Sequence, residues 1–223
     1  MTSPAPTQSA SDLKRQALER GALGLLAHLQ SCVPDAGRKG DPGSLAALRR
    51  ALGKRPAEAI EACRVVERHV PELPGVRLTE PEHEAFYIIG GLFALHPRDF
   101  RSQERYDQRS LGASLRSIRW RDEAHQEEDD GVERRFIAVL EAAHEALPTH
   151  LRALITFFSS RSDQPIDYLQ LFKDLLDWDH PDRGVQRRWA AGFWRQPAKS
   201  GTESDDADAA GDAADSQDDT DNK

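Results

Sequence analysis

The sequence predicts an all-α protein, two small helical bundles in tandem followed by a disordered acidic C-terminal tail. Three observations predict it. Apolar residues recur at i, i+3, i+4 and i+7 along most of the chain, the spacing that lines one face of a helix. No period-2 run of β-branched residues is long enough to make a strand. Proline and glycine gather between the periodic stretches, where helices stop and start. A polar stretch from Arg98 to Arg109 divides the chain into an N-terminal helical domain over 12–97 and a C-terminal one over 110–196.

Taken in order, residues 1–11 are polar and rich in Pro, Ser and Ala, and are expected to be disordered. Asp12 to Gln30 reads as a helix with Leu13, Ala17, Leu18, Leu25 and Leu29 on its apolar side, weakened by Gly21 and Gly24. Cys32 to Gly43 is a loop. Ser44 is read as the N-cap of a short helix, Leu45 to Leu52, which ends at Gly53. Pro56 sits at the next start, and Ala57 to Val70 follows with Ile60, Cys63, Val66 and Val70 inward. Thr79 and Glu82 fit a capping box with Pro81 in the first turn. The helix that follows, Glu82 to His96, is apolar around most of its circumference and is expected to be buried. Its Gly90-Gly91 pair costs roughly 1 kcal/mol per glycine against alanine, which a closely packed neighbour would offset.

Beyond the polar stretch, Ser110 opens a helix with Leu111, Leu115 and Ile118 on one face. Asp122 to Asp130 reads as an acidic loop. Gly131 to Ala146 is a helix with Val132, Phe136, Val139 and Ala143 buried. Pro148 opens Thr149 to Ser160, and Asp163-Gln164-Pro165 caps and starts Ile166 to Trp178. In that helix Asp167, Gln170, Lys173 and Asp174 form one narrow polar stripe. Pro181 to Gln196 closes the fold with Val185, Trp189, Phe193 and Trp194 inward. The tail, 200–223, is low-complexity Asp/Ala sequence and is expected to be disordered.

Charge is distributed unevenly. The 223-residue chain has a formal charge of −8 and a pI near 5.5. From Ser200 onward there are nine acidic residues and one lysine, so the tail holds the whole of that charge. The body balances 29 basic against 29 acidic residues and can carry separate patches of each sign. Arg116 and Arg119 lie off the apolar face of their helix, as do Arg134 and Arg135 on theirs, and Arg49 and Arg50 project from the short helix before Gly53. Planar guanidinium forks suit phosphate, which makes these arginines a candidate nucleic-acid surface.

Other chemistry finds no support. Cys32 and Cys63 show no CxxC or zinc spacing, which fits a reduced, cytoplasmic compartment. The N-terminus has no apolar core of a signal peptide, and no run of residues is apolar enough to span a membrane. His83-Glu84 and His144-Glu145 each lack the second histidine of a zincin motif. No phosphate loop or nucleophile elbow appears. Asp177 and Asp179 flank Trp178 and read as a helix end and turn rather than metal ligands. No catalytic residue, metal or cofactor is expected.

The order of motifs says more than any one of them. Gly91 to Pro97 (GLFALHP), Ser110-Leu111-Gly112, Val132 to Phe136 (VERRF), Leu151 to Leu154 (LRAL), Ile166 to Trp178 (IDYLQLFKDLLDW), then Arg188-Trp189 and Phe193-Trp194 follow one another. As an ordered set they resemble the CasB family, the small subunit of the type I-E CRISPR Cascade complex, over roughly Ser44 to Gln196. The resemblance implies a non-enzymatic helical protein, present in two copies beside backbone and large subunits and a guide crRNA. It implies help in holding the target DNA strand and the displaced strand in the R-loop. The family's basic surface matches here Arg49, Arg50, Arg116, Arg134, Arg135 and Arg152; Arg119 is added from helix geometry alone. The acidic tail lies outside the family pattern. Two other readings stand beside this one: a helical adaptor whose arginines bind an acidic protein partner, and a metal-dependent nuclease.

Overall fold

The computed structural model of the chain describes residues 9–98, 110–119 and 126–195, without the side chains of Ser117, Arg119 and residues 126–130. Among the described residues the fold is all-α, with nine α-helices. They run α1 (Ala10–Cys32), α2 (Pro42–Ala51), α3 (Ile60–Val66), α4 (Glu80–Leu95), α5 (Leu111–Arg119), α6 (Gln126–Glu141), α7 (Leu147–Ser159), α8 (Tyr168–Leu176) and α9 (Gly184–Trp194). Extended pairing among these residues is limited to isolated bridges, Asp35 with Arg38 and Leu73 with Val76.

Helix α4 is the axis. Phe86, Tyr87, Ile88, Ile89, Leu92 and Phe93 are all buried, because α1, α2 and α3 pack on it from the N-terminal half and α7 and α8 from the C-terminal half. Thr79 and Glu82 cap it reciprocally, as expected. The glycine pair admits α2: a Cβ on Gly90 would stand 3.0 Å from Leu48 Cδ2, and one on Gly91 2.8 Å from Leu52 Cβ. Phe86 meets Phe172 edge-on at 4.8 Å, and the Tyr168 hydroxyl donates to the His96 carbonyl at 2.6 Å. The apolar side chains of 12–97 and of 110–196 thus join one continuous core.

A second crossing pairs α5 with α9. A Cβ on Gly112 would fall 2.0 Å from the Trp189 carbonyl oxygen, and one on Gly192 2.6 Å from Ser110 Oγ. Only glycine lets the two backbones approach this closely. Above the crossing, Phe136 of α6 packs on Phe193 at 4.5 Å, and Trp178 on Trp189 at 5.2 Å.

Several boundaries differ from expectation. Helix α1 begins at Ala10, because Ser9 forms a capping box with Asp12, so Ser9 to Ser11 are ordered into the helix start. Asp41, not Ser44, caps α2; its carboxylate accepts the Ser44 amide at 3.0 Å and the Ser44 hydroxyl at 2.6 Å. The expected helix over Ala57–Val70 breaks into a 3-10 turn (Pro56–Glu58), α3 and a second 3-10 turn (Glu67–His69). The break rotates the apolar register. Val66 is buried as expected, but Ile60 is 71% exposed, and Ala59, Ala62 and Val65 are buried instead. Residues 126–130 belong to α6 rather than to an acidic loop, as expected of acids at the positive end of a helix dipole. Helix α6 ends at Glu141, which leaves Ala143 exposed. Asp167, not Asp163, caps α8, and Asp174 leaves the polar stripe for the interior at 1% exposure. Helix α9 starts at Gly184, after Arg183 takes a left-handed conformation (φ 49°). The tail, 200–223, lies outside the described residues.

Candidate nucleic-acid interface

The sequence-predicted arginines separate into two groups. The first stands at the C-terminal end of α2. Helix ends leave carbonyls without intrahelical donors. Arg152, on α7, donates to two of them, Arg49 O at 3.0 Å and Leu52 O. Arg49 in turn donates through Nε to the Ala94 carbonyl near the end of α4, at 2.6 Å. These two guanidinium groups clamp α2, α4 and α7 together, so part of their donor capacity is spent inside the fold. Arg50 points outward and pairs with Glu61 at 2.5 Å. It rims a groove of about 330 Å³ between α2 and α3 that also takes in Lys54 and Ile60.

The second group surrounds the α5–α9 crossing. Arg116, on α5, donates to the carbonyl of Arg195 at 2.9 Å, just past the end of α9. Next to it, the Trp194 indole donates to Glu133 at 3.1 Å, which draws the end of α9 onto α6 beside the exposed Arg134. Arg135 lies half-buried, donating to the Gly131 carbonyl at 2.8 Å and covering the ring of Phe157 at 4.4 Å. Arg161 covers the same ring at 3.8 Å. Stacking of this kind holds a guanidinium plane in place while leaving its edge donors directed outward. Arg119 closes α5, and its side chain lies outside the described residues.

Sequence reasoning missed Arg161, Arg195 and Phe157. Phe157 reads as one more apolar residue of α7, and the two arginines follow the ends of their helices, off any periodic face. No signal in the chain pairs Arg135 with Arg161; only the packing of α6 on α7 does.

The two aspartates around Trp178 are engaged elsewhere. Asp177 takes both terminal nitrogens of Arg15 at 2.6 and 2.9 Å, and Asp179 lies 3.3 Å from His144 Nδ1. Among the described residues no cluster of three or more His, Cys, Asp or Glu side chains is arranged to hold a metal ion. No described helix is long and apolar enough to cross a membrane.

The same two helix pairs that gather the arginines lie within the stretch that a family model recognises. The model for CRISPR-associated protein Cse2 matches residues 44–194, from the first turn of α2 to the end of α9. The chain belongs to the Cse2 family. It is 30% identical over 158 residues, 71% of its length, to the CRISPR-associated protein Cse2 of Thermus thermophilus, of which the match covers 82%. Its fold is similar to the crystal structure of CasB from Thermus thermophilus, with a TM-score of 0.54, 28% identity, and 81% of this chain and 97% of that one covered. For CasB from M. ruber the TM-score is 0.61 at 26% identity, covering 78% and 93%. A chain from a structure described as a CRISPR RNA-guided surveillance complex matches with a TM-score of 0.58 at 25% identity, covering 79% and 92%. The CasB resemblance carried by the ordered motifs is therefore correct. The first α-helix of this Cse2 protein and its acidic tail fall outside the family match.

Proposed function

We propose that this Cse2 protein is a non-catalytic subunit of a Cascade-type RNA-guided surveillance complex. In it, the arginines around the α5–α9 crossing hold nucleic-acid backbone as the R-loop forms. The observation that carries the reading is the match to a chain of an RNA-guided surveillance complex, which covers 92% of that chain. The proposed partners are a guide crRNA, target DNA, the backbone and large subunits, and a second copy of this chain, in the cytoplasm. Exchange of a DNA duplex for an RNA–DNA duplex is nearly balanced, so contacts to a strand's phosphates can tip it without reading sequence. Arg116, Arg134, Arg135 and Arg161 supply such contacts from α5, α6 and the end of α7. Arg49 and Arg152 are assigned mainly to holding the fold, with Arg50 at the edge of the surface.

The test is a purified complex carrying Arg116→Gln, Arg134→Gln and Arg135→Gln together. Guide loading should survive, because pairing still supplies sequence reading, while R-loop yield falls. For the isolated chain, each lost phosphate contact removes about 0.7 from the slope of log K against log salt with single strands, so the slope should flatten by up to about 2 units. Arg20→Gln, Arg64→Gln and Arg77→Gln, all exposed in the N-terminal half, change the charge equally. An equal loss of R-loop yield with that control would mean that net charge, and not this face, is responsible. Failure of the wild-type chain to co-purify with guide RNA and other subunits would remove the reading altogether.

A further inference from the structure

The end of the described chain lies on the arginine face itself. Arg195, the last described residue, offers its carbonyl to Arg116 at 2.9 Å. Its neighbour Trp194 is pinned to Glu133, one residue from Arg134. Arg195 itself, the C-cap of α9, is exposed, as is Arg134. The described chain therefore ends among Arg116, Arg134 and Arg195. Eight residues later comes Glu203, the first of nine acidic residues that carry the entire net charge. At about 3.5 Å per residue, Glu203 can reach no farther than about 28 Å from Arg195, so the acidic stretch begins within reach of this face.

We propose that residues 200–223 dock on the cationic face around the α5–α9 crossing and compete there with nucleic acid. The occupant is this chain's own acidic segment. It repeats the chemistry of a phosphodiester strand, closely spaced negative charges with small groups between them, in Asp205-Asp206-Ala207-Asp208 and Asp212-Ala213-Ala214-Asp215. Glu133 of α6 repels the segment, which favours the side of the face shared by α5 and α9. A tether this short gives an effective concentration in the millimolar range, so even a weak contact displaces loosely held strands. Strands held by guide pairing and several subunits displace the tail in turn. The tail thus suppresses binding to stray nucleic acid and yields to the R-loop. The competition rests on reading the face as a nucleic-acid surface; the docking of the tail does not.

The experiment keeps the full chain and neutralises the tail, with Glu203→Gln and Asn in place of Asp205, Asp206, Asp208, Asp212, Asp215, Asp218, Asp219 and Asp221. Two readouts are taken at low salt. A fluorescent peptide of residues 200–223 is titrated with the neutralised chain, and oligothymidylate is titrated with both chains. The peptide should bind in a salt-dependent manner and lose affinity when Arg116→Gln, Arg134→Gln and Arg195→Gln are added. Oligothymidylate should bind the neutralised chain about 3- to 10-fold more tightly than the wild type. Peptide that fails to bind overturns the docking, and a tighter grip on oligothymidylate would then be long-range repulsion. Peptide binding indifferent to the three arginines overturns the assigned face. If the peptide binds as expected but neither chain binds oligothymidylate, docking stands and the nucleic-acid reading falls.

Discussion

A carboxylate only 1% exposed, as Asp174 is, persists because three donors converge on it. The indole of Trp189, the amide of Gln170 at 2.7 Å and the guanidinium of Arg188 all point at its oxygens. Burial pushes its carboxyl up, and the Trp189, Gln170 and Arg188 donors oppose that shift. Replacing it strands the buried indole N–H, while Arg188, 49% exposed, returns to water. Asp174→Ala should cost about 1–3 kcal/mol in urea unfolding, the penalty of one orphaned buried donor. In a double-mutant cycle with Trp189→Phe the two losses should overlap; strict additivity would mean that the pair is not coupled. His96 gives a pH test. It is 3% exposed, stacked edge-on against Phe158, and donates through Nε2 to the Gln164 carbonyl at 2.8 Å. Burial holds its pKa below the ordinary imidazole value, against the pull of the Gln164 carbonyl and of Asp163 and with a small push from Arg98. The unfolded chain takes up this proton near pH 6.5 while the folded chain resists it, so the unfolded state binds more protons there and stability rises with pH. The melting temperature should fall as pH drops from 7 towards 5.5, less steeply in His96→Gln than in the wild type. Parallel pH profiles for the two chains would remove His96 as the cause.

At the scale of elements, two helix crossings are set by glycine and can be tested apart from composition. Gly112 meets the Trp189 carbonyl so closely that α5 and α9 must separate to admit a methyl group. Gly112→Ala should therefore destabilise by about 1–3 kcal/mol or more, as overpacking does. It should also weaken nucleic-acid binding, because the same crossing assembles Arg116 with the end of α9. Gly184, the first residue of α9, has nothing within 4 Å of an added Cβ. Gly184→Ala should be neutral or stabilise by about 0.4–1 kcal/mol through the unfolded chain. Thermal melts of the two variants side by side make the comparison, and equal losses would show that the crossing is looser than its geometry implies.

For the whole molecule, the decisive feature is that α4 is covered from both halves of the chain. An N-terminal fragment ending at Arg98 would expose the sides of α4 that α7 and α8 cover, among them Phe86 and Phe93 with their partners Phe172 and Tyr168. Apolar burial contributes roughly 25 cal/mol per Å², so neither fragment should melt cooperatively alone, and the pair should regain helicity when mixed. A sharp independent transition in the N-terminal fragment would show that its three other helices suffice to hold α4.

The sequence alone determined the helical class, the family, the caps of α4, and the glycine pair that admits a neighbour. Each of these is written locally, in the spacing of apolar residues, a four-residue capping pattern or an ordered run of motifs. It also marked Arg116, Arg134 and Arg135 as lying off the apolar stripes, which follows from helical periodicity. What the tertiary structure decided is which polar groups are spent inside. Asp174 and Arg152 occupy polar positions on their own helices, and only the arrival of α9 at one and the end of α2 at the other engages them, Asp174 buried and Arg152 half-buried. The register of α3 departs from periodicity for a local reason: Ala59 leaves helical backbone (φ −104°, ψ 40°) between the 3-10 turn and α3, and Ile60 turns outward. Periodicity reports the face a residue occupies on its own helix. Whether that face meets water, a carbonyl or a ring depends on the helix that packs against it, which the local sequence does not encode.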